Sequence, residues 1–191
     1  QSGESISLSA DGSVLAIGAR WNDGNGNNSG HVRVYKNVND TWIQIGSDID
    51  GESIRDQFGE SVVLSSDGAI LAISAKLNDG NGSDSGHVRI YRNVNDTWTK
   101  IGSDIDGETL NDNSGESISL SADGSILAIG ASQNDGNGNR SGHVRVYKNI
   151  NDTWTKIGSD IDGESSTDQL GESITLSADG SIVAIGASQN D

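Results

Sequence analysis

A period of 56 residues runs through the chain without an insertion or deletion. The segment Ser29-Gly30-His31-Val32-Arg33-Val34-Tyr35 returns at Ser85–Tyr91 and again at Ser141–Tyr147. Trp42 returns as Trp98 and Trp154, and Gly3-Glu4-Ser5 returns at Gly59, Gly115 and Gly171. Residues 57–112 match residues 113–168 at 39 of 56 positions. The 191 residues therefore hold about 3.4 copies: 1–56, 57–112, 113–168 and a partial repeat, 169–191, with the first two strands of a fourth copy. A short repeat cannot bury its own faces, so its stability must come from stacked neighbours.

Composition alone would suggest disorder, with 32% hydrophobic residues and a net charge of −16. The periodic order argues against it. The absence of Cys excludes a disulfide framework and a cysteine metal site. No run approaches the roughly 18 apolar residues of a membrane helix, so no membrane insertion is expected. The acidic excess excludes a nucleic-acid binder that works by neutralising phosphates. The chain begins at Gln1 and lacks Met, so Gln1 is not a translation start and a processed product or an excerpt is expected.

Each copy reads as four short strands. In the second, Glu60–Ser65 is strand one, and its counterpart Ser117–Ser121 alternates apolar and polar with period two. Asp67-Gly68 is a hairpin signal. Ile70–Ala75 is strand two, apolar on both faces and hence central. Asn78–Asp84 is a polar loop, His87–Arg92 is strand three, and Thr97–Gly102 is strand four. The acidic segment Ser103–Glu108 leads into the next copy. No window shows a capped stripe of period 3.6. The reading is an all-β protein of β-propeller-type blades, four antiparallel strands per 56-residue repeat, with about 3.4 repeats forming an incomplete ring or part of a larger or open assembly.

The repeat resembles the FG-GAP repeat of integrin α-subunit-type β-propellers. Phe58-Gly59 supplies the first element, with Ser2-Gly3, Ser114-Gly115 and Leu170-Gly171 elsewhere. Gly18-Ala19, Gly130-Ala131 and Gly186-Ala187 supply the second, without its Pro, and Ser74-Ala75 stands in copy two. Gly30–Tyr35 and its echoes supply the third. The resemblance implies a propeller in extracellular adhesion or recognition, and no catalytic residues. The calcium loop of that family lies between strands one and two. Here that loop is Ser9–Ser13 with one carboxylate, so the site is not carried over.

Oxygen ligands at alternate positions make Asp23, Asn25 and Asn27 a candidate calcium loop, with echoes at Asp79, Asn81 and Ser83 and at Asp135, Asn137 and Asn139. The same residues suit metal-free turns. The Asp104-Ile105-Asp106 type of segment would form an acidic belt, with Arg33, Arg89 and Arg145 as partners between blades. Glu4, Glu60, Glu116 and Glu172 would form a ring near a central channel. His31, Arg33 and Tyr35 share a strand face in every copy, which fits packing better than chemistry. Trp42, Trp98 and Trp154 are candidate stacking platforms for a sugar, or covers for the blade edge. Asn39, Asn95 and Asn151 begin Asn-Asp-Thr triplets, in form glycosylation acceptors at an exposed turn.

The expected function is a non-enzymatic extracellular or cell-surface repeat module for adhesion or protein interaction. Its partners would be other copies of itself, further repeats of a longer chain, or an extracellular protein or glycan. The alternatives are a self-assembling filament of unclosed blades and a lectin-like or calcium-binding propeller, with calcium the one cofactor considered.

Overall fold

The structure, a computed structural model, describes residues 2–190. All regular elements among them are strands. The first sheet holds β1 (Ser5–Leu8), β2 (Val14–Ala19), β3 (His31–Val38), β4 (Thr41–Gln44) and β5 (Ile49–Asp50). The second holds β6 (Val62–Leu64), β7 (Ile70–Ala75), β8 (His87–Val94), β9 (Thr97–Lys100) and β10 (Ile105–Asp106). The third holds β11 (Ser117–Leu120), β12 (Ile126–Ala131), β13 (His143–Ile150), β14 (Thr153–Lys156) and β15 (Ile161–Asp162). A two-stranded sheet, β16 (Leu170–Leu176) and β17 (Val183–Ala187), follows.

Each full sheet is an antiparallel meander whose third strand also pairs with the short fifth one. The fifth strand is a departure from the four expected. Gln44 lies opposite Tyr35, whereas Ile49 lies opposite Val32, so β4 and β5 gain two residues over β3. A bulge absorbs them, with Gly46 at φ 73°. The hairpin ends follow from local chemistry. Asp11 accepts hydrogen bonds from the Ser13 N–H and the Ser9 and Ser13 hydroxyls, which hold its carboxyl down at about 2. Asn39 and Asp40 sit at φ 51° and 64°, the left-handed pair of a type I′ turn.

The core lies between sheets. One cluster joins Val14, Ala16, Val32 and Val34 of the first blade to Val62, Leu64, Leu71 and Ile73 of the second, with Phe58 at the junction. The next joins Ile70, Ala72, Val88 and Ile90 to Ile118, Leu120, Leu127 and Ile129. Strand β7 thus serves two cores, and all six of its residues are buried. The strand-one serines have a role that alternation alone does not show. Ser5 and Ser7 Oγ accept the Val62 and Leu64 N–H groups, at 2.8 and 2.9 Å. The inner edge strand so finds partners on the preceding blade. The strand one–two turns are also linked in series, Ala10 N–H to Ser66 O, Ser66 N–H to Ala122 O, and Ala122 N–H to Ala178 O.

Candidate functional site at the blade junctions

Strand β8 starts buried, with His87 and Arg89 both held under the edge of the first blade. The bulge before β10 turns Asp104 back onto Arg89, 3.1 Å from its Nε and Nη2. Lys100 reaches the other Asp104 oxygen at 2.6 Å. Glu52, from the exit of the first blade, forms a close ion pair with Arg89 across the junction. A ring nitrogen of His87 and carboxylate oxygens of Glu52 and Asp104 lie within 4.8 Å of one another. Asp56, Asn78, Asp79 and Asp106 complete a cleft of about 390 Å³. The arrangement returns as Glu108, His143, Arg145 and Asp160. In the first sheet, Arg33 binds Asp48 at 2.8 Å and His31 Nδ1 lies 3.6 Å from it.

Burial, aided by the Arg89 charge, pushes the His87 imidazole down to about 4, so it is neutral at pH 7. Burial opposes the charge on Arg89, but Glu52 and Asp104 outweigh it and raise its pKa. Burial likewise works against the Asp104 carboxylate, and Lys100 and Arg89 bring it below the usual range. Asp106 is pushed up by burial and by Asp104. Buried Asp56 is also raised by burial, against the hydrogen bond from Asn78 Nδ2 at 3.1 Å. A neutral imidazole with two carboxylates is a donor set that suits a divalent cation such as zinc. Here Arg89 already occupies both carboxylates as their counter-charge, so a cation would have to displace it.

These shifts give the fold a pH dependence. His87 titrates near 6.5 when unfolded and about 4 when folded, so below pH 6.5 the unfolded chain binds more protons. Stability is therefore expected to fall between pH 6.5 and 4, by roughly 3 kcal/mol for this group. His31 and His143 are lowered too, first by burial, and act in the same direction. Urea unfolding at pH 7 and pH 5 checks this, and His87→Gln should flatten the slope.

The candidate loop residues are hydrogen-bonded within the chain. Asp23, Asp79 and Asp135 Oδ1 accept the N–H of Asn28, Asp84 and Arg140. Asn25, Asn81 and Asn137 Nδ2 donate to Gly51, Gly107 and Gly163 O, pinning each loop to the linker that leaves the same blade. The backbone carbonyls of Asn27, Ser83 and Asn139 accept from Arg55, Asn111 and Thr167. Asn39, Asn95 and Asn151 are exposed at the β3–β4 type of turn. Trp98 and Trp154 are half-buried against the two cores, whereas Trp42 is 42% exposed. The glutamate row is interleaved with cations: Arg20 bridges Glu4 and Glu60, and Lys76 bridges Glu60 and Glu116. Glu52 ends the acidic segment expected to pair with Arg89 between blades, and it does so. Sequence reasoning missed buried Asp56, whose signal is that Asp56/Asp112/Asp168 stay constant while the residues just before them vary.

No protein-family model and no curated protein matches the chain. Solved structures do. A Bacteroides uniformis protein assigned as a 6-phosphogluconolactonase matches with a TM-score of 0.63 and 14% identity over 95% of this chain and 46% of its own. A protein assigned as TolB from Agrobacterium tumefaciens matches at 0.56 and 15%, over 99% of this chain and 55% of its own. The GH74 enzyme of Niastella koreensis matches at 0.51 and 17%, over 95% of this chain and 28% of its own. The chain spans about half or less of these proteins. They are β-propeller-like, and at such identity the likeness establishes the fold: β-propeller blades in an incomplete ring.

The expectation that the chain is not an enzyme is overturned here. Two of these neighbours are named for enzyme activities, so this architecture carries enzymes as well. The expectation rested on near-identical copies. Copies share a scaffold, yet their surfaces differ, as Arg20, Lys76 and Ser132 or Trp21, Leu77 and Gln133 do at equivalent positions.

Proposed function

We propose that the chain is an interaction module of FG-GAP-type blades that works outside the cytoplasm or at the cell surface and takes a protein or glycan partner on its strand two–three loops. The observation that carries this reading is the repetition of a cleft between successive strand two–three loops. One cleft, of about 480 Å³, is lined by polar Asn27, Arg55, Asp79, Ser83 and Asp84 and by apolar Ile54 and Leu77. The next, of about 440 Å³, is lined by Asp84, Asn111, Asn113, Asp135, Asn139 and Arg140. Related clefts spaced along one face suit a partner with repeated epitopes, because a second contact then forms at high effective concentration.

Binding to arrays of glycans and extracellular proteins tests the reading. Asp84 lines both clefts, so Asp84→Asn is expected to weaken the bound partner at least tenfold with the melting curve unchanged. Asn is chosen because it tolerates the φ of 53° at this position. No bound partner in either array, or a partner that binds the Asp84→Asn chain as tightly, would contradict it.

A further inference from the structure

The second blade junction differs from the first at one buried position. At the first, Phe58 is fully buried, with its ring centroid 6.4 Å from that of His87 and 5.9 Å from Arg89 Cζ. One repeat later the same place is Ser114, also fully buried. A hydroxymethyl group fills far less space than a phenyl ring, and the neighbouring arginine lies differently. Arg89 is held by both Asp104 and Glu52. Arg145 instead donates from Nη2 to Asp106 O at 3.0 Å and keeps Glu108 at 3.3 Å. It makes no ion pair with Asp160 among the described residues. The Ser114 side chain packs on Gly107, the neighbour of Asp106, so Arg145 reaches into the space that a ring would take.

Three buried polar atoms at this junction lack a hydrogen-bond partner: Ser114 Oγ, His143 Nε2 and Arg145 Nε. Buried polar groups are ordinarily satisfied, so each such orphan calls for a physical cause. The first and third follow from the smaller side chain and the displaced guanidinium. The imidazole nitrogen is different, because His143 is only 2% exposed and has no acceptor for a proton there. Such a ring is free to offer a lone pair. One of its nitrogens and carboxylate oxygens of Glu108 and Asp160 lie within 4.8 Å of one another. One Asp160 oxygen holds Lys156 at 2.6 Å, and the other carries no arginine. These groups face the second blade, away from the end of the chain. The Asp160 side chain is 21% exposed, against 22% for Asp104 in the blade covered on both sides.

We propose that Glu108, His143 and Asp160 form a binding site for one divalent transition-metal ion of the zinc class. One imidazole nitrogen with two carboxylate oxygens suits zinc, whereas calcium takes roughly six to eight oxygens. Three protein ligands leave one tetrahedral position for water. Binding asks little of the surroundings. Glu108 is an exposed side chain that gives up a long ion pair, Arg145 stays on Asp106 O, and Asp160 keeps Lys156. At the first junction Arg89 takes the same donors, through a close pair with Glu52 and two hydrogen bonds to Asp104, so no ion enters there. Ser114 is thus a positioning residue: it makes the room that draws Arg145 off Asp160. This goes beyond the loop-face reading and uses a different part of the molecule.

The test is titration of the chain with zinc chloride at pH 7, read by isothermal calorimetry. One ion per chain is expected, and a chelator should remove it. Asp160→Asn should weaken binding at least tenfold, and Ser114→Phe should do the same by returning Arg145 to Asp160. Phe58→Ser should raise the count to two ions per chain, a gain that misfolding could not produce. Melting curves without metal show which variants are folded, and Asp160→Asn, which keeps the side-chain shape, decides the matter if a packing variant is not. No zinc binding, zinc binding that survives Asp160→Asn, or equally tight binding of calcium chloride would overturn the proposal. A count that stays at one in a folded Phe58→Ser chain would overturn it too. The outcome does not depend on whether the strand two–three loops take a partner, so this site and the loop-face reading can fail separately.

Discussion

Gly86→Ala is expected to cost about 2–5 kcal/mol of stability, the sum of a left-handed backbone penalty and displaced neighbours. Gly86 sits at φ 76°, and an added Cβ would strike the Ser114 backbone, within 2.6 Å of its N, and Lys76 O at 2.9 Å. These atoms cannot swing aside. Ser114 N–H donates to Ser85 O at 2.9 Å, and Gly86 N–H to Asn78 O at 2.9 Å, so this is where the entry to the third blade crosses the second. Gly158→Ala supplies the control. Its φ of 72° carries the same conformational penalty, but nothing lies within 4 Å of its Cβ, so a loss of only about 1–2 kcal/mol is expected. Chemical denaturation of the two variants checks the difference.

Ile73→Ala should cost about 2–5 kcal/mol, the range for a fully buried aliphatic side chain that leaves a cavity. Ile73 is fully buried in the core between the first and second blades. Its neighbours there come from both sheets, with Val14, Ala16, Val32 and Val34 on the facing one. A cavity at this place can close only by moving one blade toward the other, which the serine hydrogen bonds and the Arg89–Glu52 pair resist. The loss should therefore lie toward the upper part of that range.

Much of the blade was legible in the sequence, because each strand writes its own periodicity. Ile70–Ala75 and its apolar faces were found as they stand, and Asp67-Gly68 marked its turn. The short strand Ile105–Asp106 reads in the sequence only as part of an acidic tail. Two residues carry no period, and the bulge that aims Asp104 at Arg89 depends on pairing with β8. The site was less legible for a physical reason: its contacts join different copies. The pairing of Arg89 with the acidic segment between blades is expected from charge alone, but Val62 meets Ser5 across a junction that no pattern within one repeat describes. The Asn39-Asp40 turn shows the converse. Its residues invite a modification reading, and their left-handed backbone independently favours Asn and Asp at these places. Identity between copies was a sound guide to stacking and a poor one to chemistry, since enzymes are among the fold's neighbours.

The central claim is that each blade is stabilised by its neighbour and not by its own sheet. Ile17 and Ile73 occupy the same place in successive copies, and each lies on the second strand opposite an Arg of the third. Ile17 faces outward from the first blade and is half-buried, whereas Ile73 faces that blade and is fully buried. The direct measurement is the change in unfolding free energy for Ile17→Ala beside Ile73→Ala under identical conditions. The account predicts a loss of about 2–5 kcal/mol at Ile73 and under about 1 kcal/mol at Ile17. Equal losses at the two positions would contradict it.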